Sequence, residues 1–324
     1  MMDDAADIRP EAPAGDPRAL GNRLLKNARH LGRWARREGL EAWRVYDRDI
    51  PEFPYAIDRY ADWLHVQLFE GLRELDDAAI AAHLDAIGTA LDVPPARLAF
   101  KRRQRQRGTS QYEKRITVGQ PFVVIERGLR FEVELTTYLD TGLFLDHRDT
   151  RQRIRAEAAG TRMLNLFAYT GSFTVYAAAG AARHTVTVDL SQTYQEWARR
   201  NLALNGFDDP VRHRLIRADV TEWLVDAARS RERFDLIVLD PPSFSNSKRM
   251  HGSFDVQRDQ VALITRAMDL LAPGGVLYFS TNRHGFRLEA ALVRHFACID
   301  ITAQTVPMDF KRRTPHRCWR IASR

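Results

Sequence analysis

MLNLFAYTGSFTVYAAAGAARHTVTVDL, residues 163–190, is the stretch from which the fold can be read. Met163, Leu164, Leu166 and Phe167 make an apolar run that stops at Tyr169-Thr170-Gly171-Ser172. An apolar helix-like segment follows, and a β-branched run, Thr185-Val186-Thr187-Val188, ends in Asp189. This predicts strand, loop, helix, strand. In a parallel sheet the loop and Asp189 emerge together at the carboxyl edge, where open α/β sheets bind ligands. Small loop residues let a ligand approach the backbone at Gly171, with Asn165, Phe167, Tyr169 and Thr170 beside it. Asp189 follows the loop glycine by about 20 residues, the spacing at which an acidic side chain meets ribose hydroxyls; Leu190 and Ser191 continue the same edge. A nucleoside-containing cofactor is the first expectation.

A dinucleotide site needs several glycines, as in G-x-G-x-x-G, so that backbone amides can surround a pyrophosphate. Here Gly171 stands alone, and its polar and aromatic neighbours suit a cofactor without phosphates, such as S-adenosylmethionine (SAM). Two later pieces agree: Asp219-Val220 after Arg214-Leu215-Ile216, and Asp240-Pro241-Pro242-Ser243-Phe244 after FDLIVL at 234–239. Each places a carboxylate at a strand's end. The order of glycine loop, ribose acid, adenine-side acid and Asp-Pro-Pro resembles the Rossmann-like class I SAM-dependent methyltransferases. That resemblance implies an α/β fold, S-adenosylhomocysteine as the spent cofactor and no metal.

At 324 residues with 44% hydrophobic content the chain can hold two ordinary domains. No apolar run reaches the ~18 to 20 residues of a membrane span, so a soluble protein with no membrane partner is expected. Two cysteines, Cys298 and Cys318, argue against a disulfide framework and for a reducing cytoplasm. With 49 Lys+Arg against 42 Asp+Glu the net charge is +7, which permits a polyanionic partner.

Residues 1–20 are rich in Ala, Pro and acids and read as a disordered leader. A smaller α+β domain is expected over 21–138 and the Rossmann-like domain over 139–324. From Asn22, Leu24, Ala28, Leu31, Trp34 and Ala35 recur at helical spacing among Arg23, Lys26, Arg29, Arg33, Arg36 and Arg37. This basic amphipathic helix has either a solvated face or a face for phosphates. Strands are expected at 43–46 and 63–69, with 47–51 and 55–60 as connections, and a helix over 75–91. A short strand at 97–100 runs into Lys101, Arg102, Arg103, Arg105 and Arg107, read as an exposed loop that contacts nucleic-acid phosphates, with a merely solubilising charged loop as the alternative. Residues 122–126 and 129–135, joined at Arg127-Gly128, read as a hairpin. At the domain junction Phe144 packs toward the sheet, and Asp146 and Arg148 are candidates to bond the methionine part of the cofactor. Helix capping is the rival role for Asp146.

Asp240, Pro241, Pro242 and Phe244 carry the candidate chemistry. Two prolines fix φ twice, so a carboxylate and an aromatic ring are held still at the sheet edge. Phe244 is placed to stack on a flipped-out base, and Lys248 and Arg249 to take flanking phosphates. Methylation of pyrimidine C5 requires a cysteine thiolate, whereas Cys298 and Cys318 lie in apparent core strands and Ser280-Thr281-Asn282 holds no thiol. Guanine N7 has an in-plane lone pair and needs no general base; a fixed carboxylate such as Asp240 would stabilise the cation that forms, with orienting the base or binding the cofactor as its alternative roles. This permits N7 without proving it.

From about Asn22 onward the chain resembles the bacterial 23S ribosomal RNA guanine-N7 methyltransferases. The matching pieces are NRLLKN at 22–27, VYDRDIPEF at 45–53, DRYADW at 58–63, QYEK at 111–114, YLDTGLFLDHR at 138–148, LNLFAYTGS at 164–172, DPPSFSNSKRM at 240–250 and FDVQRD at 254–259. The resemblance implies SAM as donor, large-subunit ribosomal RNA or a precursor particle as substrate, and m7G as product. In a fused form of the family a guanine-N2 half precedes this one; it is absent from this sequence, so a separate guanine-N2 methyltransferase is an implied partner. Two other readings stay open: a ribosomal RNA methyltransferase for another atom (guanine N2 or cytosine C5), and a non-catalytic RNA-binding or assembly factor.

Overall fold

Alternation along the central strands builds two cores. In the apolar run at 163–166, Met163 packs in a cluster with Ile154, Phe173 and Ala177, while Leu164 and Leu166 pack in another with Leu224, Leu263 and Ile264. FDLIVL divides the same way: Leu236 and Val238 face the first cluster and Ile237 and Leu239 the second. A strand buried on both faces must lie inside a parallel sheet with helices on either side.

The computed structural model describes residues 15–103, 120–138, 140–245 and 253–324. The chain forms two units, Met1–Arg37 with Arg44–Glu113, and Glu38–Trp43 with Lys114–Arg324. In chain order the first elements are α1 (Pro17–Glu38), β1 (Ala42–Asp47), β2 (Tyr55–Tyr60), β3 (Trp63–Phe69), α2 (Asp77–Leu91) and β4 (Leu98–Arg103). They form a four-stranded sheet ordered β1-β2-β3-β4, with β4 parallel to β3. α1 starts at Pro17, inside the expected leader, where proline's fixed φ suits a first helical residue.

Two sequence expectations change here. Residues 55–60 are a strand rather than a connection, because Tyr55, Ala56, Ile57 and Tyr60 are all buried. The buried Asp58 is paired with Arg44, Nε to Oδ1 at 2.7 Å. Lys101, Arg102 and Arg103 are strand residues, not loop: β4 carries them along β3 as an edge, and cations suit a sheet edge that must not pair with another chain. Arg105 and Arg107 lie outside the described residues.

His65 on β3 is fully buried; Gln67 Nε2 lies 3.0 Å from its Nδ1, while its Nε2 has no hydrogen-bond partner. Burial, with the nearby cations Lys101, Arg103 and Arg44, holds its pKa well below the ordinary range. The unfolded chain therefore binds this proton first, so stability present above pH ~6.5 is lost as pH falls through that range. The melting temperature is expected to decline from pH 7.5 toward pH 5, with a flatter acid limb in His65→Met. An identical limb in the variant would place the effect elsewhere.

The second unit continues with β5 (Phe122–Glu126), β6 (Leu129–Val133), α3 (Arg148–Glu157), β7 (Arg162–Leu166), α4 (Ser172–Ala179), β8 (His184–Asp189), α5 (Gln192–Leu204), β9 (His213–Arg217) and α6 (Val220–Ala228). Then come β10 (Phe234–Leu239), β11 (Phe244–Ser245), β12 (Phe254–Asp255), α7 (Val256–Asp269), β13 (Leu271–Thr281), α8 (Ala290–His295), β14 (Phe296–Asp300), α9 (Thr302–Thr305) and β15 (Arg317–Ser323). Seven strands form one sheet, ordered β14-β15-β13-β10-β7-β8-β9. β7, β8, β9, β10 and β13 are parallel, and β15 is antiparallel to both β13 and β14. The order reverses at β7, so the ends of β7, β8 and β10 meet at a topological switch point. The β5–β6 hairpin, expected in the N-terminal domain, groups with this second unit: Trp197 Nε1 and Asn201 Oδ1 of α5 bond the Glu132 backbone of β6.

Candidate active site

The loop after β7 is the site's floor. Phe167 (φ 55°), Tyr169 (φ 52°) and Gly171 (φ 73°) take left-handed backbone, a conformation non-glycine residues hold only when their surroundings fix it. Tyr169 N–H donates to Asp189 Oδ2 (2.8 Å), and its hydroxyl accepts from Gly142 N–H (2.9 Å). Thr170 Oγ1 donates to the Gly142 carbonyl (2.6 Å), and Asn201 Nδ2 to the Thr170 carbonyl (2.9 Å). Gly142, at φ 95°, admits no side chain, since a Cβ would stand 2.3 Å from Trp197 Cζ2. Gly142→Ala is expected to destabilise the protein by about 1–3 kcal/mol through overpacking and backbone strain together. Thermal denaturation checks this; an unchanged melting temperature would mean that the Trp197 ring moves freely aside.

Asp189 lies at the end of β8 with both oxygens occupied on one side, accepting from Tyr169 N–H and from Ser191 N–H (2.9 Å). Burial raises its pKa, against the lowering effect of these two N–H groups. Ser191 caps α5, accepting from Tyr194 N–H, and Leu190 lies between the two. Asp219 caps α6: its Oδ1 accepts from Thr221 N–H (2.8 Å) and from Thr221 Oγ1 (2.6 Å). Val220 begins that helix and is buried. Phe144 is 39% exposed, and its ring centroid lies 4.9 Å from that of Tyr169, which also meets Tyr194 at 4.5 Å.

Asp240 leaves β10 into the double-proline turn. Ser280 Oγ, at the end of β13, donates to Asp240 Oδ1 (2.6 Å), and His147 Nε2 lies 3.5 Å from Oδ2. Ser243 Oγ donates to Asn282 Oδ1 (2.6 Å), tying the turn to the same strand end. Phe244 is 55% exposed on β11, which pairs with β12. Pro241 is buried and Pro242 exposed. Lys248 and Arg249 lie outside the described residues.

The sequence reading missed the two histidines behind Asp240. His147 and His316 stack with ring centroids 4.3 Å apart. His316 Nδ1 is hydrogen-bonded to Asp146 Oδ2 (3.0 Å) and its Nε2 to Thr305 Oγ1 (3.2 Å). Burial lowers the pKa of His147, although Asp240 and Asp146 pull the other way. Asp146, His147 and His316 bring three ligating atoms within 4.8 Å of one another, a spacing a metal ion could use. The Asp146–His316–Thr305 hydrogen bonds already account for Asp146 and His316.

Two expected cofactor residues are engaged elsewhere. Arg148 is fully buried, with Nη1 on both oxygens of Asp309 (2.7 and 2.8 Å), Nη2 on the Ala42 carbonyl (2.7 Å) and Nε on Glu126 (3.4 Å). Its guanidinium thus serves an interior ion cluster. Asn165 is 1% exposed, and its amide donates to Thr174 Oγ1 (3.0 Å), which is bonded in turn to Thr187 Oγ1 (2.8 Å). Phe167 remains by the loop, partly buried, its ring 5.8 Å from that of Phe254. Arg102 is engaged by Glu70 and Asp77.

Asp146, Asp189, Asp219 and Asp240 give this edge a carboxylate donor set. Carboxylates accept from hydroxyls and ammonium groups and attract a sulfonium, while they repel phosphates. The residues present therefore fit SAM, a cofactor with a positive charge and no phosphates.

Comparisons with known proteins agree. The S-adenosylmethionine-dependent methyltransferase family model matches residues 53–296. Ribosomal RNA large subunit methyltransferase K of Neisseria meningitidis is 51% identical over 313 residues, 95% of this chain and 88% of that protein. The K/L protein of Ectopseudomonas mendocina is 54% identical over 94% of this chain, which spans 42% of that longer relative. The fold matches that of SMU.776 complexed with SAH, with a TM-score of 0.74, 22% identity and coverage of 97% of this chain and 83% of that one. The chain is thus a SAM-dependent methyltransferase and belongs to the ribosomal RNA large subunit methyltransferase K family.

Proposed function

We propose that the protein methylates guanine N7 in large-subunit ribosomal RNA, with Asp240 as the group that stabilises the developing positive charge. The carrying observation is the hold on that carboxylate: Ser280 grips one oxygen, His147 lies against the other, and two prolines fix the turn beside an exposed Phe244. SAM, when bound, supplies an electrophilic methyl on sulfur. Asp189 is suited to ribose hydroxyls, Leu190, Ser191, Asp219 and Val220 to the adenine side, and the loop at 169–171 to the methionine part. Phe244 orients the base by stacking. The N7 lone pair attacks in line, so the protein's task is positioning and electrostatics rather than proton removal.

A thiol route has no support. Cys318 is fully buried and burial raises its pKa, and the same cause raises that of Cys298. One observation favours guanine N2 as the second reading. His147 Nε2 lies 3.5 Å behind Asp240 Oδ2, in line to receive through that carboxylate the proton an amine must lose, and burial shifts its pKa downward. N7 transfer needs no such acceptor. Lys101 and Arg103 remain candidates for RNA contact, as do the basic residues outside the described region. A large-subunit precursor particle as substrate and a cytoplasmic location complete the reading. Among the described residues no helix is long and apolar enough to cross a membrane.

Incubation with methyl-labelled SAM and unmodified 23S ribosomal RNA, followed by digestion to nucleosides, tests this. Label in m7G is expected. Label in m2G or m5C would reject the N7 assignment, and SAM binding with no RNA methylation would favour the assembly-factor reading.

A further inference from the structure

α1 carries a charge pattern that the reaction chemistry does not use. Its 22 residues hold seven cations and a single carboxylate, Glu38, a surplus of six where the whole chain of 324 residues nets +7. Leu20, Leu24, Trp34 and Ala35 are buried and set the inward face. Lys26, Arg29, Arg33, Arg36 and Arg37 are exposed, and none has a carboxylate partner among the described residues. At 3.6 residues per turn these five fall within an arc of about 100° and a length of about 16 Å. They form one strip rather than a scatter.

A helix gains nothing from such a strip. Lys26–Arg29, Arg29–Arg33, Arg33–Arg36 and Arg33–Arg37 are like-charge neighbours at i,i+3 or i,i+4, which destabilise a helix. The macrodipole offsets this only for Arg36 and Arg37 in the last turn. An ordinary solvated face mixes both signs, and a row of anions laid against this one relieves its self-repulsion. Arginine, four of the five, binds phosphate through a planar fork.

We infer that the exposed strip of α1, Lys26 to Arg37, docks the phosphodiester backbone of the RNA substrate. The inference rests on the RNA-methyltransferase reading of the active site but uses none of its residues. Phosphate contacts hold a nucleic acid without reading its sequence, so this strip contributes RNA affinity and not the choice of base.

The test compares the protein with its Arg29→Gln/Arg33→Gln/Arg36→Gln variant, titrated with in vitro transcribed 23S ribosomal RNA over a series of salt concentrations. Each phosphate that is no longer neutralised should flatten the slope of log K against log salt by about 0.7–0.9. The variant is expected to lose about 2 from that slope and at least tenfold in low-salt affinity. Its melting temperature should be held or raised and SAM affinity unchanged; the matching triple Lys variant, which keeps the charge and loses the fork, should keep the wild-type salt slope and lose only part of the affinity. An unchanged slope and RNA affinity in the Gln variant would overturn the inference and leave a solvated face or a dock for an acidic protein. Wild-type protein that binds RNA through the strip yet forms no m7G would defeat the N7 reading and leave this one standing.

Discussion

Asp240→Asn is expected to lower kcat by about 10²- to 10³-fold, the range seen when one preorganised electrostatic group is removed from a charge-developing centre. The substitution keeps size and leaves Ser280 Oγ an acceptor at its 2.6 Å contact, so the fold and RNA affinity should hold. The loss belongs in kcat because positive charge leaves the sulfonium and reaches the guanine ring beside Asp240 only as the methyl is transferred; ground-state guanine is neutral. Single-turnover rates with saturating SAM and RNA separate the two parameters. A raised KM for SAM at unchanged kcat would instead make Asp240 a cofactor ligand.

Arg148→Met is expected to cost about 3–5 kcal/mol, the usual consequence of breaking a buried ion pair from one side. The cluster holds two cations and two carboxylates. Arg148 takes both oxygens of Asp309, and Arg151 takes both oxygens of Glu126 through Nε (2.9 Å) and Nη2 (3.0 Å). Burial opposes every charge here, but Asp309 and Glu126 outweigh it and raise the Arg148 pKa, and Arg151 and Arg148 outweigh it to lower that of Glu126. At about 2–4 °C per kcal/mol the melting temperature should fall by on the order of 10 °C. The double variant Arg148→Met/Asp309→Leu should recover much of the loss, because an apolar pair replaces an ion pair with little penalty. A double variant less stable than the single one would show that the cluster is more than a matched set of charges. Activity is expected to follow stability, since Arg151 Nη1 also holds the Phe144 carbonyl (2.8 Å) and so pins the turn that carries Asp146 and His147.

The sheet and its ligand edge were legible because their signals are local. Alternation within residues 163–166 and 234–239 marks strands buried on two faces, and Ser191 and Asp219 stand where a helix cap and a strand-end acid both belong. What was missed depends on partners distant in sequence. Asp58 and Arg59 made residues 55–60 look like a polar connection, although Asp58 is neutralised by Arg44, 14 positions away. Arg148 in a motif beside Asp146 reads as a ligand for the cofactor carboxylate, yet its partner Asp309 is 161 positions on. His316 meets Asp146 across 170 positions. The run of basic residues from Lys101 looked like a loop because charge density hides a strand whose inward residue is Ala99.

Methylation at N7 makes the base labile, so borohydride reduction followed by aniline cleaves the RNA chain where m7G stands. Ribosomal RNA treated with the protein and SAM, then subjected to this chemistry, should break at a guanosine that stays intact with the Asp240→Asn protein. RNA that takes up the methyl label but resists cleavage would rule out N7 and place the methyl on another atom.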